Sequence, residues 1–303
     1  MKLYIQKSLL FVIAIFLFAP TQAQEKTKSY FDFVFMTDIH VQPEHQAAEG
    51  LLKAIEVTNS LNPDFVITGG DLIMDALGQT KERADSLYQL YIELEKNFNM
   101  PVYNTPGNHE HYAFYKKEEI SRDDPDYGDK MFERYIGKTH YSFDHKGWHF
   151  IILNSIMETE ERGYRGGVSP DQIEWLENDL KGIDKDTPIV MSVHIPLVTA
   201  MNQYREGGLT VTGKGSVINN SKEVLDLFTD KNLKLVLQGH LHYLEDIYMM
   251  GKTHFITGGA VSSDWWRGPR FGMEEGFVRI KVDGDDFTWE YIDFGWEPTW
   301  NDQ

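Results

Sequence analysis

A chain of 303 residues that is 41% hydrophobic and 25% charged, with 7 Trp, 15 Tyr and 18 Phe, has the means to bury a sizeable core. Disordered, collagen-like and multi-span membrane chains are thereby excluded. Acidic residues outnumber basic ones by 47 to 29, a formal net charge of −18, so a broad nucleic-acid footprint, which needs a Lys/Arg face, is not expected. Cysteine is absent, which removes disulfides, thiolate metal sites, Fe–S clusters and Cys nucleophiles together.

Lys2 and Lys7 flank the start of an apolar run from Leu9 to Ala19, Pro20 ends it, and Thr21 and Ala23 are small residues suited to a processing site. The pattern predicts a signal peptide over 1–23, cleaved after Ala23, and an exported protein, periplasmic or extracellular. The run is shorter than the ~20 residues that cross a bilayer, so no membrane span is expected in the mature chain. Residues 24–303 contain no repeat and no linker of altered composition, and are expected to form a single domain.

From Tyr30 onward, apolar runs alternate with amphipathic ones. Phe31 to Met36 predicts a buried strand, and 44–61 a helix with Ala47, Ala48, Leu51, Leu52 and Ile55 on one face. Asn62-Pro63-Asp64 is a turn before a strand at 64–68; a helix at 80–97 (Ala84, Leu87, Tyr88, Tyr91, Leu94) and a short strand at 102–104 follow. Segments 140–144 and 148–153 predict a hairpin turning at Lys146-Gly147, and Ser169-Pro170 opens a helix carrying Ile173, Trp175, Leu176 and Leu180. Strand 188–193, helix 221–230 and strand 233–237 come next, then strands at 244–249, 253–257, 276–282 and 287–293, the last two joined at Asp283-Gly284-Asp285. Glycine-rich stretches at 205–215 and 266–276 read as surface loops. Parallel-type units first and antiparallel strands last predict an α/β fold in which two mixed sheets pack face to face with helices outside.

Five polar clusters stand directly after predicted strands: Asp38-Ile39-His40, Gly70-Asp71, Gly107-Asn108-His109-Glu110, His194, and Gly239-His240-Leu241-His242. Sites in α/β sheets form at the carboxyl ends of strands, so all five can converge on one pocket. Alternation along each strand end is expected to send Asp38 and His40 the same way, and likewise His240 and His242. Singly these residues say little: an Asp after a strand is more often a helix cap, and a His a hydrogen-bonded structural residue, as expected for His45, His140, His145, His149 and His254. Jointly they place two aspartates, an Asn and five imidazoles together, a set that needs cations.

With that motif order intact from Asp38 to His242, the sequence resembles the calcineurin-like metallophosphoesterases, nearest in outline to the bacterial cyclic-nucleotide phosphodiesterase type. Gly166-Gly167-Val168-Ser169 through Gln172 and Trp175-Leu176, and Ile151 to Ser155, also resemble family segments; relatives often carry Asp where this chain has Asn154. No Tyr lies between Leu72 and Leu77, where the similar purple acid phosphatases need a ligand. The resemblance implies a four-layer α/β/β/α sandwich with two divalent transition-metal ions, drawn from Mn, Fe, Zn, Co or Ni. It implies that Asp38, His40 and His242 hold the first, that Asn108, His194 and His240 hold the second, and that Asp71 bridges them.

Two such cations would make a locally positive centre in an acidic protein, and a bridging water there loses its proton readily. The expected reaction is hydrolysis of a phosphodiester or phosphomonoester by the resulting hydroxide, with His109 as proton donor to the leaving oxygen. A small phosphorylated substrate follows. The competing class is a catalytically weak or inactive metal-containing binding protein for a phosphorylated or sugar ligand, with Trp265-Trp266-Arg267 as a stacking platform or, instead, a buried loop anchor.

Overall fold

The computed structural model describes residues 29–116 and 119–298; the leader and processing site read at 1–23 lie outside the described residues. The first half holds β1 (Tyr30–Met36), α1 (Ala47–Leu61), β2 (Phe65–Thr68), α2 (Lys81–Glu95) and β3 (Val102–Tyr103), then a 3₁₀ turn (Asn108–Glu110) and α3 (Lys130–Tyr135). Next come β4 (Tyr141–His145), β5 (Trp148–Ile152), β6 (Ile156–Glu158), β7 (Tyr164–Gly166), α4 (Pro170–Lys181) and β8 (Pro188–Ser192). The chain continues through α5 (Met201–Glu206), α6 (Ser221–Asp226), β9 (Asn232–Gln238), β10 (Glu245–Met249), β11 (Thr253–Thr257), β12 (Gly276–Asp283) and β13 (Asp286–Asp293).

The strands form a five-stranded sheet ordered β13-β12-β1-β2-β3 and a six-stranded sheet ordered β10-β11-β9-β8-β5-β4. Both are mixed: β1 pairs parallel with β2 and antiparallel with β12, while β8 and β9 are parallel and β4–β5 is an antiparallel hairpin. The period of two along β1 decides how they stack. Phe31, Phe33 and Phe35 point into a core shared with Phe65, Trp148, Phe150, Val190, Leu235, Leu237 and Val278. Val34 and Met36 face the other way, onto Leu51, Ile55 and Leu87 of the first two helices. Leu176, Leu180 and Val224 cover the outer side of the second sheet in the same manner. Helices therefore flank two sheets whose facing sides are dry and aromatic; Phe33 and Phe65 lie 5.1 Å apart, and Phe150 meets Phe33 edge-on at 5.5 Å.

Local chemistry sets the element ends. Ser169 caps α4 by accepting the Gln172 N–H at 3.3 Å, with Pro170 in the first turn. Asn62 ends α1 in the left-handed region, which Asn tolerates better than most residues. The buried side of α1 differs from the expected stripe: Leu52 is exposed, while Gly50 and Ala54 are buried. Trp266 packs onto Gly50, where an added Cβ would come within 2.2 Å of its ring. The helix is thus turned toward a large partner from a distant loop. The hairpin β6–β7, the helices α3 and α5 and the 3₁₀ turn lie in stretches to which the sequence pattern assigned no helix or strand; all are short segments, too brief for a periodic signal.

Candidate metal centre

At their carboxyl ends, β1 and β2 from one sheet meet β8, β9 and β11 from the other. Thr37 forms a parallel bridge with Ala260, and Gly239 lies against Thr37 and Asp38 so closely that a Cβ there would come within 2.0 Å of the Thr37 hydroxyl. Gly107 is similarly tight, its missing Cβ 2.3 Å from the backbone and carboxylate of Asp71. Two glycines therefore let five loops close on one point.

The backbone is not simply extended there. Asp38, His40, Asp71, His240 and His242 all have positive φ, between 48° and 71°. The left-handed region is costly for non-glycine residues, and surrounding bonds must impose it. Asp38 N–H donates to Gly70 O at 3.0 Å, His40 N–H to Asp71 O at 2.8 Å, and Gly239 N–H to His194 O at 2.8 Å. The His240 N–H reaches the Asp38 carboxylate at 2.9 Å, and the Thr37 hydroxyl donates to it at 2.7 Å. The alternation expected at the strand ends is replaced by these turns. Asp38 and His40 do share a side, but His240 and His242 diverge.

His242 Nε2 lies 3.3 Å from Asp38 Oδ1 and 3.1 Å from His40 Nε2, forming one group with Asp38. His240 joins a second group with Asp71 and His194, in which His194 Nε2 sits 3.1 Å from both Asp71 Oδ2 and Asn108 Oδ1. Asp71 lies between the groups, its Oδ2 3.6 Å from His40 Nε2. Asp38, His40, Asp71, Asn108, His194 and His242 are buried and His240 is nearly so.

The tautomers are fixed from outside. His194 Nδ1–H donates to Gly69 O at 2.7 Å and His242 Nδ1–H to Ser263 O at 2.6 Å, turning both Nε2 atoms inward. Imidazole nitrogens face each other at 3.1–3.2 Å, an arrangement that a proton or a metal ion must hold. The charges agree. Burial works against the Asp38 and Asp71 carboxylates, but the imidazoles of His242 beside Asp38 and His194 beside Asp71 outweigh it and hold both well below the usual range. Burial lowers His194 too, yet Asp71 wins and raises it to about 9; burial and the neighbouring His194 push His240 down to about 4. No Lys or Arg forms an ion pair with Asp38 or Asp71 among the described residues. This all-N/O donor set, its donor atoms aimed inward around two anions, fits divalent metal ions, which would take the place of protons there.

His109 stands apart. Its backbone N–H donates to Asp71 Oδ1 at 3.0 Å, its Nδ1 bonds Met74 O, and its Nε2 lies 3.8 Å from Asp71 Oδ2. It clusters with His40 and Asp71 and retains more exposure than its neighbours, 21% of the side chain.

Three supporting residues were given no role from sequence, although Glu110 and Asn154 lie in segments singled out above. Glu110 is fully buried and accepts the backbone N–H groups of Asp71, Leu72, Ile73 and Gly107 at 2.6–3.2 Å, so one carboxylate folds both loops. Burial, with the nearby Asp71 charge, pushes it up to about 7. His111 bonds Gly107 O at 2.8 Å and meets Asn154 Nδ2 at 3.2 Å, while Asn154 and Gln172 exchange backbone and side-chain bonds at 3.0 Å. Asn154 thus supports the turn before Asn108 from the neighbouring sheet. Of the aromatic pair, Trp266 is buried and donates to Ile39 O at 2.9 Å, an anchor, whereas the Trp265 ring stands 4.8 Å from His242.

The model of the calcineurin-like phosphoesterases matches residues 31–244. A probable cyclic nucleotide phosphodiesterase of Fibrobacter succinogenes is 24% identical over 73% of this chain and 77% of its own. A 3',5'-cyclic-nucleotide phosphodiesterase of Nostoc is 27% identical over 68% and 70%. Among solved structures, a dimetal phosphatase from Danio rerio shares the fold with a TM-score of 0.59 at 16% identity, over 88% of this chain and 99% of that one. GAP50, the anchor in the inner membrane complex of Plasmodium, shares it with a TM-score of 0.55 at 14% identity, over 89% and 87%. The chain belongs to the calcineurin-like phosphoesterase family and is a hydrolase acting on phosphoric ester bonds.

Proposed function

We propose that this protein is an exported dinuclear-metal phosphoesterase whose centre is held by Asp38, His40 and His242 on one side and by Asn108, His194 and His240 on the other, with Asp71 shared. The observation that carries the reading is the position of Asp71: its carboxylate is grouped with His194 and His240 on one side and with His40 and His109 on the other, its Oδ2 3.6 Å from His40 Nε2. Bound there, two divalent ions would neutralise phosphoryl oxygens and lower the pKa of water at the site. The chain's own contribution is placement. Glu110 and the strand-end turns hold the donors before any substrate arrives, and Gly69 O and Ser263 O keep two imidazoles in the ligating tautomer.

His109 is the proton donor in this reading. Its Nδ1 is engaged by Met74 O, so Nε2 is the nitrogen left to face a leaving oxygen. Export rests on the leader over 1–23, and among the described residues no helix is long and apolar enough to cross a membrane.

Elemental analysis joined to hydrolysis of bis(4-nitrophenyl) phosphate tests the proposal. The expected result is up to two transition metals per chain, turnover that chelation abolishes, and recovery with added Mn. Full metal content without turnover of any phosphoester would make the protein a binding module instead. An intact mass beginning at Gln24 is expected for the exported form, and a retained 1–23 segment would overturn export.

A further inference from the structure

Beside the His40–His242 side of the centre, an aromatic and basic cluster has no part in the reading above. Trp265 packs against His242, and the Arg270 guanidinium lies 4.6 Å from its ring centroid. Phe271 is two-thirds exposed and sits between two cations, with Arg270 at 5.6 Å and Arg205 at 4.7 Å. Arg205 also covers Tyr243, which stacks on Phe271 at 5.4 Å. A cleft of about 300 Å³ opens here, lined by Asp264, Trp265, Pro269, Arg270 and Phe271.

Two features of the cluster point to a ligand. Trp265 Nε1, Arg270 Nε and Tyr243 Oη are each buried with no hydrogen-bond partner among the described residues. All three can donate, and unsatisfied buried donors are rare in native proteins. The charges are also unbalanced. Asp264 lies 3.7 Å from Arg270, whereas no carboxylate pairs with Arg205 among the described residues. Two guanidiniums flanking one ring, in a chain of net charge −18, are a local excess of positive charge. Ring stacking holds their planes and leaves N–H edges free to bind an oxyanion.

We propose that Arg205, Arg270, Trp265 and Tyr243 form a specificity subsite for a second anionic group of the substrate, a phosphate or carboxylate separate from the ester being cleaved. The inference rests on the phosphoesterase reading and deepens it: preferred substrates carry at least two anionic groups. Trp265 contributes its N–H here, since its ring is already packed against His242 and Arg270.

The test compares two esters that differ by one anion, the 5'-(4-nitrophenyl) esters of thymidine 5'-phosphate and of thymidine 3',5'-bisphosphate, both followed by nitrophenolate release. The second phosphate should lower KM by about tenfold or more, the worth of one charge-assisted hydrogen bond. That ratio should fall toward one in Arg205→Ala and in Arg270→Ala, and persist in Lys96→Ala, which removes a charge just past the end of α2. Equal KM values in the parent protein, or a ratio that survives both arginine substitutions, would overturn the subsite. Should neither ester be cleaved, the failure concerns activity on these esters and leaves the subsite to a binding measurement. Calorimetric titration with thymidine 5'-phosphate and thymidine 3',5'-bisphosphate then decides the subsite, tighter bisphosphate binding that depends on both arginines supporting it and equal affinities overturning it.

Discussion

His109 and Glu110 are adjacent in sequence and differ in task. His109 reaches Asp71 from a position with solvent on one side, and its backbone N–H bond to Asp71 Oδ1 does not depend on its side chain. His109→Ala is therefore expected to keep metal content near normal while slowing an alkoxide-leaving substrate by roughly 10²–10⁴-fold. The loss should be distinctly smaller for nitrophenyl esters, whose leaving group departs without a proton. Equal losses for both leaving groups, or lost metal, would make His109 a ligand or an orienting group. Glu110 offers no such selectivity. Its two oxygens serve four backbone N–H groups, and in Glu110→Gln an amide nitrogen would confront two of them. Each buried donor stripped of its acceptor costs about 1–3 kcal/mol, so a loss on the order of 3 kcal/mol is expected in urea unfolding. Metal content should fall by less than in Asp71→Asn, which would remove a carboxylate shared by both sides of the proposed centre. A Glu110→Gln protein as stable and as metal-rich as its parent would sink this role.

At the scale of elements, the loop between β11 and β12 is the most consequential segment after the strand-end turns. It supplies Ser263 O to His242, Trp265 to the centre and Trp266 to the α1 groove. At its end sits Glu275, 1% exposed, with no side-chain partner for its carboxylate among the described residues. Burial raises this carboxyl to about 7 from an ordinary 4.5. The folded state then binds the proton more tightly than the unfolded one, so the stability Glu275 allows is full below pH 4.5 and is lost as pH climbs to about 7. Glu275→Gln should therefore stabilise the protein at pH 8, on the order of 1–3 kcal/mol, and have little effect near pH 4.5. A difference in Tm that does not change with pH would refute it.

Elements with a clear period were legible in the sequence. The buried residues of α2 are the five expected, and the β4–β5 hairpin turns at Lys146-Gly147. The polar clusters after β1, β2, β3, β8 and β9 do meet. What was illegible depends on distant partners: Leu52 left the core because Trp266 claimed Gly50, and His111 and Asn154 met only because two sheets are stacked. The turns at Asp38, His40 and His242 were missed because positive φ in non-glycine residues is imposed by neighbours and leaves no mark in composition.

For the whole molecule, the shared core of Phe31, Phe33, Phe65 and Phe150 explains how a cysteine-free chain holds two sheets together far from the centre. Near the centre that aromatic packing gives way to polar turns, and another force must act. Asp38, Asp71 and Asn108 follow strands of the five-stranded sheet, while His194 and His240 follow strands of the six-stranded one. Ions held between them would rivet one sheet to the other, doing by coordination what a disulfide does covalently. Binding confined to the folded state stabilises it by about 2.7 kcal/mol at a hundredfold excess over Kd. Chelation should then speed amide hydrogen exchange in the turns after β1, β2, β8 and β9, leaving β4–β5 unchanged; uniform exchange before and after chelation would contradict it. A rivet of this kind is indifferent to reductants and oxidants, so the protein's durability would follow the supply of metal in its surroundings rather than their redox state.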